Sequence, residues 1–258
     1  MIRTEAHRAL RDWDAEVYDR VAQPQLEWGR EVLDRLPLRG DETVLDAGCG
    51  SGRVTALLAE RLPRGHVIAV DASPSMVAKA SAALAGRAEV LRADLSELAL
   101  PRMVDAVFSN AVFHWVPDHD VLFRRLAAVL RPGGRLVAQC GGEGNIGELR
   151  EAVRAVAAGD PFAPYLRDWQ GPWNFAGAGE TEARLARAGF VGARCWLERW
   201  PVTPEHPRAY LEHVTLGPYL ARLPERLQGG FVERVLDRLP SPPTLGYVRL
   251  NISARKAA

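Results

Sequence analysis

The sequence predicts an α/β protein built on a doubly wound, mostly parallel sheet. Two observations indicate this fold class: short apolar runs typical of buried strands alternate with stretches of helical periodicity, and a glycine-rich turn follows the first of these runs. Strands joined by helices at this interval form parallel sheets, and ligands of such sheets bind at the carboxyl ends of the strands. We therefore expect the functional residues to follow the strands directly.

The helices in the central part of the chain, where strands and helices alternate, are marked by local sequence signals. Glycines open the helix after the first strand, whereas Ser73-Pro74 supplies an N-cap and a first-turn proline for the next helix. A helix over 119–130 is expected to stop at the Arg-Pro-Gly-Gly turn, 131–134. The predicted strands of this core, which spans 41–141, are 43–47, 66–70, 88–92, 104–108 and 135–140.

The regions outside this core are predicted to cover it. Apolar positions at helical spacing in the N-terminal segment, broken at Pro24, predict two helices that form a lid over 1–40. Insertions at 145–175 and 203–240 are expected to be helical caps on the substrate side. The remaining predicted elements of the sheet layer are a helix over 179–188 and strands over 191–200 and 246–252. The whole chain, 1–258, is thus interpreted as a single domain.

Composition limits the classes of partner. The chain has 33 Lys and Arg residues against 32 Asp and Glu residues, and this balance offers no field that would attract a nucleic acid or an anionic membrane. Cys49, Cys140 and Cys195 lack the spacing of a disulfide framework or a metal site. There is no signal-peptide core and no apolar run of about 18 residues. We expect a cytoplasmic protein that acts on a small molecule without a metal.

The most informative stretch, VLDAGCGSGRV over 44–54, joins the first strand to the following helix. Glycines at alternate positions let the backbone approach a ligand where a Cβ atom would collide. Dinucleotide-binding loops carry a further glycine where Arg53 stands here. Taken alone, the loop is equally consistent with a simple turn or with another nucleotide site.

Further motifs follow in a fixed order. Asp71 ends the second strand 19 residues after Gly52, Ala-Asp-Leu at 93–95 follows the third strand, and Asn110 lies just after the fourth. In this combination the chain resembles the class I S-adenosylmethionine-dependent methyltransferases over about residues 40–140. The resemblance implies a Rossmann-like sheet and S-adenosyl-L-methionine as the cofactor.

The same resemblance implies the cofactor contacts. Asp71 is expected to accept hydrogen bonds from the ribose hydroxyls, Met76 to pack on the adenine ring, and Asp94 to accept a hydrogen bond from the adenine amino group. A structural role is the alternative for each, since Asp71 also precedes a helix and Met76 has core spacing. The implied cofactor-binding positions are Asp46, Gly48, Cys49, Gly50, Asp71, Ala72, Met76, Ala93, Asp94, Leu95 and Asn110.

A narrower likeness rests on SNAVFHWVPD at 109–118 and YDRVAQPQ at 18–25. These segments resemble the group of trans-aconitate, juvenile hormone acid and malonyl-carrier-protein methyltransferases. The resemblance implies that Gln25 and Trp115 lie at the acceptor carboxylate, where amide and indole N–H groups orient the anion without neutralising it. The alternatives are that Trp115 covers the cofactor and that Gln25 caps a helix or faces water. A carrier-protein-bound acyl acceptor also remains open.

His114 separates two classes of acceptor. A carboxylic acid is ionised at pH 7 and needs no general base, so its methyl ester forms by alignment and desolvation. A phenol or an activated carbon acid must lose a proton, and His114 is the base candidate for that case; its alternative role is that of a hydrogen-bonded lid residue. The predicted catalytic residues are therefore His114, Trp115 and Gln25, with methyl transfer to a carboxylate preferred. A protein that binds the cofactor without catalysis is the other alternative.

An aromatic run in the first insertion is predicted to line the acceptor pocket, or else to pack only on itself. Arg150 and Arg154 on the preceding helix either pair with a second acidic group or are simply solvated. The predicted substrate-binding residues are Tyr18, Gln25, Trp115, Trp169 and Trp173.

Overall fold

The structure, a computed structural model, describes residues 23–258. Tyr18 and the first of the two predicted lid helices lie outside the described residues. The strands are β1 (Thr43–Ala47), β2 (His66–Asp71), β3 (Glu89–Arg92), β4 (Val104–Asn110), β5 (Leu130–Gly141), β6 (Phe190–Val202) and β7 (Leu245–Lys256).

Helices cover both faces of the strands and build the cap. In the described part of the chain they are α1 (Gln23–Asp34), α2 (Arg53–Glu60), α3 (Pro74–Ala83), α4 (His119–Val129), α5 (Gly147–Ala157), α6 (Ala163–Leu166), α7 (Ala178–Arg187), α8 (Pro207–Tyr210), α9 (Gly217–Leu220) and α10 (Glu225–Leu236). A 3₁₀ turn over Phe113–Trp115 precedes α4, and a π-helical turn over Leu211–Thr215 links α8 to α9.

The strands form one seven-stranded sheet in the order β3-β2-β1-β4-β5-β7-β6. Only β7 runs antiparallel to its neighbours β5 and β6, so the sheet is mostly parallel, and the predicted fold class is confirmed. The register aligns Ala47 with Val70 and Asn110 with Gln139. The loops after these strands therefore open at one edge, where a doubly wound sheet binds its ligands.

Local signals in the sequence start the helices as expected. The hydroxyl of Ser73 accepts a hydrogen bond from the N–H of Met76 at 3.3 Å and caps α3, and Pro74 is the first residue of that helix. The carboxylate of Asp118 caps α4 by accepting from the N–H of Val121 at 2.9 Å. Both caps fix where the chain turns back from the sheet edge, and so they position the loops of the site.

The largest difference from the prediction lies at the start of β5. The strand begins at Leu130 rather than at 135, because its register with β4 shifts between Val104 and Ala106 and the Arg-Pro-Gly-Gly segment, 131–134, lies outside the regular pairing. The exposed Arg131 forms an ion pair with Asp105. Strands β6 and β7 also extend a few residues beyond the predicted limits, because they pair with each other along most of their length.

A separate apolar cluster fills the cap. It joins α5 and α10 to the segment around α9, with Phe162, Phe231 and Tyr219 among its buried members, and it includes Trp28 from α1. Within residues 23–258 no helix is long and apolar enough to cross a bilayer. The division of the chain into an N-terminal lid, a cofactor core and two cap insertions stays a prediction.

Candidate active site

The glycine loop after β1 is held against the end of β2. The N–H groups of Gly48 and Cys49 both donate to the carbonyl oxygen of Val70, at 2.8 and 2.9 Å. A Cβ atom at Gly48 would lie 2.2 Å from the side chain of Val112, whereas one at Gly50 would project into open space. The loop thus leaves a cradle above Gly50 that a side chain would fill. The φ angles are +88° at Gly48, +54° at Gly50 and +89° at Gly52.

Two carboxylates lie beneath and beside this cradle. Asp71 accepts hydrogen bonds from the N–H groups of Gly50 and Ser73, each at 2.9 Å. Burial raises the pKa of Asp71, and these N–H groups oppose the rise. Asp46 is more deeply buried and accepts from the hydroxyl of Thr55 at 2.7 Å; burial raises its pKa to about 7, and the charge of Asp71 adds to that effect. The cradle and the neighbouring carboxylate of Asp71 suit the polar parts of a nucleoside ligand.

The predicted adenine side of the site follows β2 and β3. Met76 is buried in the first turn of α3, and Ala72 is half-buried in the turn that precedes the helix. The N–H of Ala93 donates to the carbonyl oxygen of Asp71 at 3.0 Å and ties the ends of the two strands together. The structure therefore brings these predicted cofactor-binding positions to one edge of the sheet.

Three further predicted cofactor-binding positions differ in their burial and in their hydrogen bonds. Asp94 is exposed, and its carboxylate accepts from the N–H of Ser96 at 2.7 Å. Leu95 packs its side chain into the core, so only its backbone is available to a ligand. Asn110 is the last residue of β4 and pairs in register with Gln139 of β5. The cofactor roles of all these residues stay predictions.

His114 is buried beside the end of β5 in a defined hydrogen-bonding state. Its Nδ1 atom accepts a hydrogen bond from the N–H of Gly141 at 3.2 Å. Burial and the positive charges of Arg249 and His119 lower the pKa of His114 well below its usual range. The ring is therefore neutral at pH 7 and carries its proton on Nε2.

An aromatic wall covers His114. Phe175 stacks on its ring with centroids 5.7 Å apart, and Trp173 stacks on Phe175 at 5.8 Å. Trp115 adjoins both His114, at 5.2 Å, and Trp173, at 5.6 Å. The backbone N–H of Asn174 donates to the carbonyl oxygen of His114 at 2.9 Å and fastens the cap segment to the 3₁₀ turn. The cap therefore packs on this turn as well as on itself.

The structure separates one predicted substrate residue from this group. Trp169 contacts Tyr219 at 4.9 Å, and Tyr219 in turn contacts Trp173 at 5.7 Å, so Trp169 lies three ring contacts away from Trp115 by this route. Tyr18 lies outside the described residues. The backbone of Gln25 belongs to α1, whereas its side chain lies outside the described part.

The sequence prediction missed a buried polar group on β7. The guanidinium of Arg249, with 2% of the residue exposed, donates through Nε to the side-chain oxygen of Gln139 at 3.1 Å and lies 4.4 Å above the ring of Trp28. Gln139 donates in turn to Asn251 at 2.8 Å, and Asn251 donates to Glu198 at 3.2 Å. The available signal was the alternation of polar residues in an otherwise apolar terminal strand.

Comparison with known proteins identifies the reaction class. Residues 45–138 match the family described as "Methyltransferase domain". A trans-aconitate 2-methyltransferase of Methylobacterium radiotolerans is 32% identical and aligns with 96% of this chain and 100% of its own. The trans-aconitate 2-methyltransferase of an Azoarcus species is 36% identical, with 83% of each chain covered.

Solved structures agree with the fold. The YcgJ protein of Bacillus subtilis superposes with a TM-score of 0.63 at 17% identity, over 90% of this chain and 99% of that chain. A phosphoethanolamine N-methyltransferase of Haemonchus contortus gives a TM-score of 0.61 at 20% identity, over 95% of this chain and 57% of its own. These structures show the fold, and the near full-length relatives show that the chain belongs to the trans-aconitate 2-methyltransferase family of S-adenosylmethionine-dependent methyltransferases.

Proposed function

We propose that this enzyme transfers a methyl group to a carboxylate oxygen of a small organic acid and so forms a methyl ester. The relatives named above are trans-aconitate 2-methyltransferases, and an unsaturated acid of that kind is the proposed acceptor. The observation that carries the proposal is the state of His114. Its Nδ1 atom accepts the Gly141 N–H, and its pKa is lowered, so the ring is poorly suited to take a proton from a substrate.

A carboxylate acceptor fits such a site because it arrives already ionised. S-adenosylmethionine, when bound, supplies a methyl group on a positively charged sulfur. The protein has to exclude water and hold the carboxylate oxygen in line with that methyl group, and such alignment is worth about 7–11 kcal/mol. The wall formed by Phe175, Trp173 and Trp115 supports this role, because rigid aromatic faces exclude water without offering a competing nucleophile.

Within this proposal, N–H donors orient the carboxylate. The indole N–H of Trp115 and the side-chain amide of Gln25 are the proposed donors, and Tyr18 is a proposed neighbour of the acceptor. His114 is a positioning residue that keeps the 3₁₀ turn against the end of β5, since Gly141 donates to it. Trp115 is the next residue along this turn, so the contact that fixes His114 also supports the predicted donor.

A product assay tests the function. The full-length protein is incubated with S-adenosylmethionine and, in turn, trans-aconitate, crotonate and a panel of phenols, and the products are identified by mass spectrometry. We expect a methyl ester from trans-aconitate, which alkali hydrolyses back to the acid. Methyl ethers from phenols, with no ester from either acid, would overturn the proposal and favour a base-assisted reaction.

The cellular setting follows the same proposal. The near-neutral composition and the lack of a membrane-spanning helix in residues 23–258 support action on a dissolved small molecule. We propose that the enzyme acts in the cytoplasm, where its methyl donor is available, and that nucleic acid is not its substrate.

A further inference from the structure

A charged side chain is buried beneath α1, close to the edge of the sheet where the candidate site lies. Arg249 of β7 is only 2% exposed, and its Nε atom donates to the side-chain oxygen of Gln139 at 3.1 Å. The guanidinium lies 4.4 Å from the ring centroid of Trp28, which is a cation–π contact with α1. Burying a charge costs free energy that a well-packed apolar side chain avoids. A role in stability alone therefore does not account for an arginine at this position.

Arg249 lies between the two elements that carry the proposed donors to the acceptor carboxylate. On one side it contacts Trp28, which follows Gln25 by three residues within one turn of α1. On the other side it pairs in register with Gly141 of β5, whose N–H donates to Nδ1 of His114 at 3.2 Å. His114 directly precedes the second proposed donor in the 3₁₀ turn. The guanidinium therefore lies next to both parts of the proposed carboxylate site.

The charge of Arg249 acts on this site. Burial lowers the pKa of His114 well below its usual range, and the positive charges of Arg249 and His119 lower it further. A cation that disfavours a positively charged ring at this place favours a negatively charged group there by the same interaction. Phe175 stacks on His114, and Trp173 stacks on Phe175, so this side of the ring is shielded from water. In such surroundings a charge acts over several ångströms with little screening.

We propose that Arg249 provides the positive charge that attracts the acceptor carboxylate, while the N–H groups of Gln25 and Trp115 orient it. In this assignment the guanidinium acts through the protein interior and does not touch the substrate, so it needs no opening to the active site. The assignment rests on the proposed function. It adds a cation to two donors that are themselves neutral, because an amide and an indole carry no charge.

The attraction has a defined effect on the two kinetic parameters. During transfer an electron pair of the carboxylate oxygen forms the new bond to the methyl carbon, and the pair of the breaking C–S bond stays on sulfur. The carboxylate thus loses its negative charge as the ester forms. A nearby cation stabilises the bound acid more than the transition state, so its removal should raise KM and leave kcat unchanged or slightly higher.

Variants of Arg249 separate its charge from its hydrogen bond. Arg249→Gln keeps a neutral N–H donor, whereas Arg249→Lys keeps the charge. We expect KM for trans-aconitate to rise about 10- to 100-fold in Arg249→Gln, the size of a charge–charge interaction across several ångströms of protein, with kcat within about twofold or higher. Arg249→Lys should stay within about fivefold of the wild-type KM. Arg249→Met is the second neutral variant, because an apolar side chain often replaces a buried charge at little cost in stability.

The matched control is Arg35→Gln. Arg35 follows the last residue of α1, lies 5.3 Å from the ring centroid of Trp196, and pairs with Glu198 at 3.8 Å. It therefore also connects α1 to the sheet through an aromatic ring, but at the end of the helix remote from Gln25. We expect its KM for trans-aconitate to stay within about twofold of the wild-type value, because loss of this contact leaves the charge of Arg249 in place.

Calorimetry separates the possible failures. Trans-aconitate is titrated into each protein in the presence of S-adenosylhomocysteine, which measures acceptor binding without turnover, and affinity for S-adenosylhomocysteine itself should stay within about twofold of wild type. Unchanged trans-aconitate affinity in folded Arg249→Gln or Arg249→Met protein would overturn the assignment, as would equal losses in Arg249→Lys or in Arg35→Gln. If the wild type makes no ester but Arg249→Gln still weakens trans-aconitate binding, the proposed function fails while the attraction of the anion by Arg249 stands.

Discussion

The N–H of Gly141 donates a hydrogen bond to Nδ1 of His114 across 3.2 Å and couples the end of β5 to the 3₁₀ turn over Phe113–Trp115. This contact fixes the tautomer of a buried imidazole, and burial, together with the charge of Arg249, lowers the pKa of that ring. A histidine in this state is a poor proton acceptor, although it positions its neighbours well.

The first prediction concerns the variant His114→Asn. The asparagine side-chain oxygen can accept the hydrogen bond from Gly141, so the turn keeps its place and no base is needed. We expect kcat/KM with trans-aconitate to fall by less than about tenfold, whereas loss of a general base costs about 10²–10⁴.

The pH profile sharpens this test. Because burial holds the pKa of His114 well below its usual range, we expect the ring to contribute no inflection between pH 6 and 8. The variant and the wild-type enzyme should therefore show profiles of the same shape over that range, including any inflection due to Asp46. An inflection near neutral pH that disappears with His114 would instead identify this residue as a base.

The second prediction concerns Asp71→Ala and cofactor affinity. Asp71 lies beside the cradle above Gly50 and accepts two backbone hydrogen bonds there. We expect affinity for S-adenosylhomocysteine, measured by calorimetry, to fall by about 1–3 kcal/mol, the size of a hydrogen bond to a charged group. The matched control is Glu97→Ala, which removes an exposed carboxylate. Unchanged affinity in a folded Asp71→Ala protein would remove the ribose role of this residue.

The third prediction compares two glycines of one loop. Gly48→Ala places a Cβ atom 2.2 Å from Val112 at a φ of +88°, and we expect a loss of about 2–5 kcal/mol of unfolding free energy. Gly50→Ala meets no protein atom within 4 Å, so its cost to stability is about 1–2 kcal/mol from its φ alone. Its methyl group instead enters the cradle.

Urea unfolding and calorimetry distinguish the two cases. We expect the Gly50→Ala protein to fold and to bind S-adenosylhomocysteine at least about tenfold more weakly. The double variant Gly48→Ala, Val112→Ala should regain part of the stability lost in Gly48→Ala, because the clashing branches are removed. Wild-type cofactor affinity in Gly50→Ala would show that the cradle is not where the ligand lies.

The parts of the fold that the sequence predicts are those with short-range causes. The helix N-cap at Ser73 and the glycine loop are each specified by residues that are consecutive in the sequence, and the structure places both as expected. The start of β5 depends on a register shift against β4, which is a pairing between distant segments and leaves no local signature.

The same limit applies to the candidate site. Asp71 and His114 follow strands, where ligand-binding residues of a parallel sheet are expected. Arg249 reaches its place only because β7 inserts between β5 and β6, more than a hundred residues from Gln139.

The fourth prediction concerns the pH dependence of stability and the variant Asp46→Asn. Burial raises the pKa of Asp46 from 3.8 to about 7, so between these values the folded protein holds a proton that the unfolded chain releases. Stability therefore falls as pH rises through this window, by roughly 4 kcal/mol for a shift of about three units.

Asparagine stays neutral and can still accept the hydrogen bond from Thr55. Urea unfolding at pH 4 to 8 without ligand should show that the unfolding free energy of Asp46→Asn depends less on pH than that of the wild type. At pH 8 the variant should be the more stable protein. A smaller slope of the same sign remains from Asp71. The exposed control Asp41→Asn should keep the wild-type slope, and a wild-type slope in Asp46→Asn would contradict the assignment of this proton to Asp46.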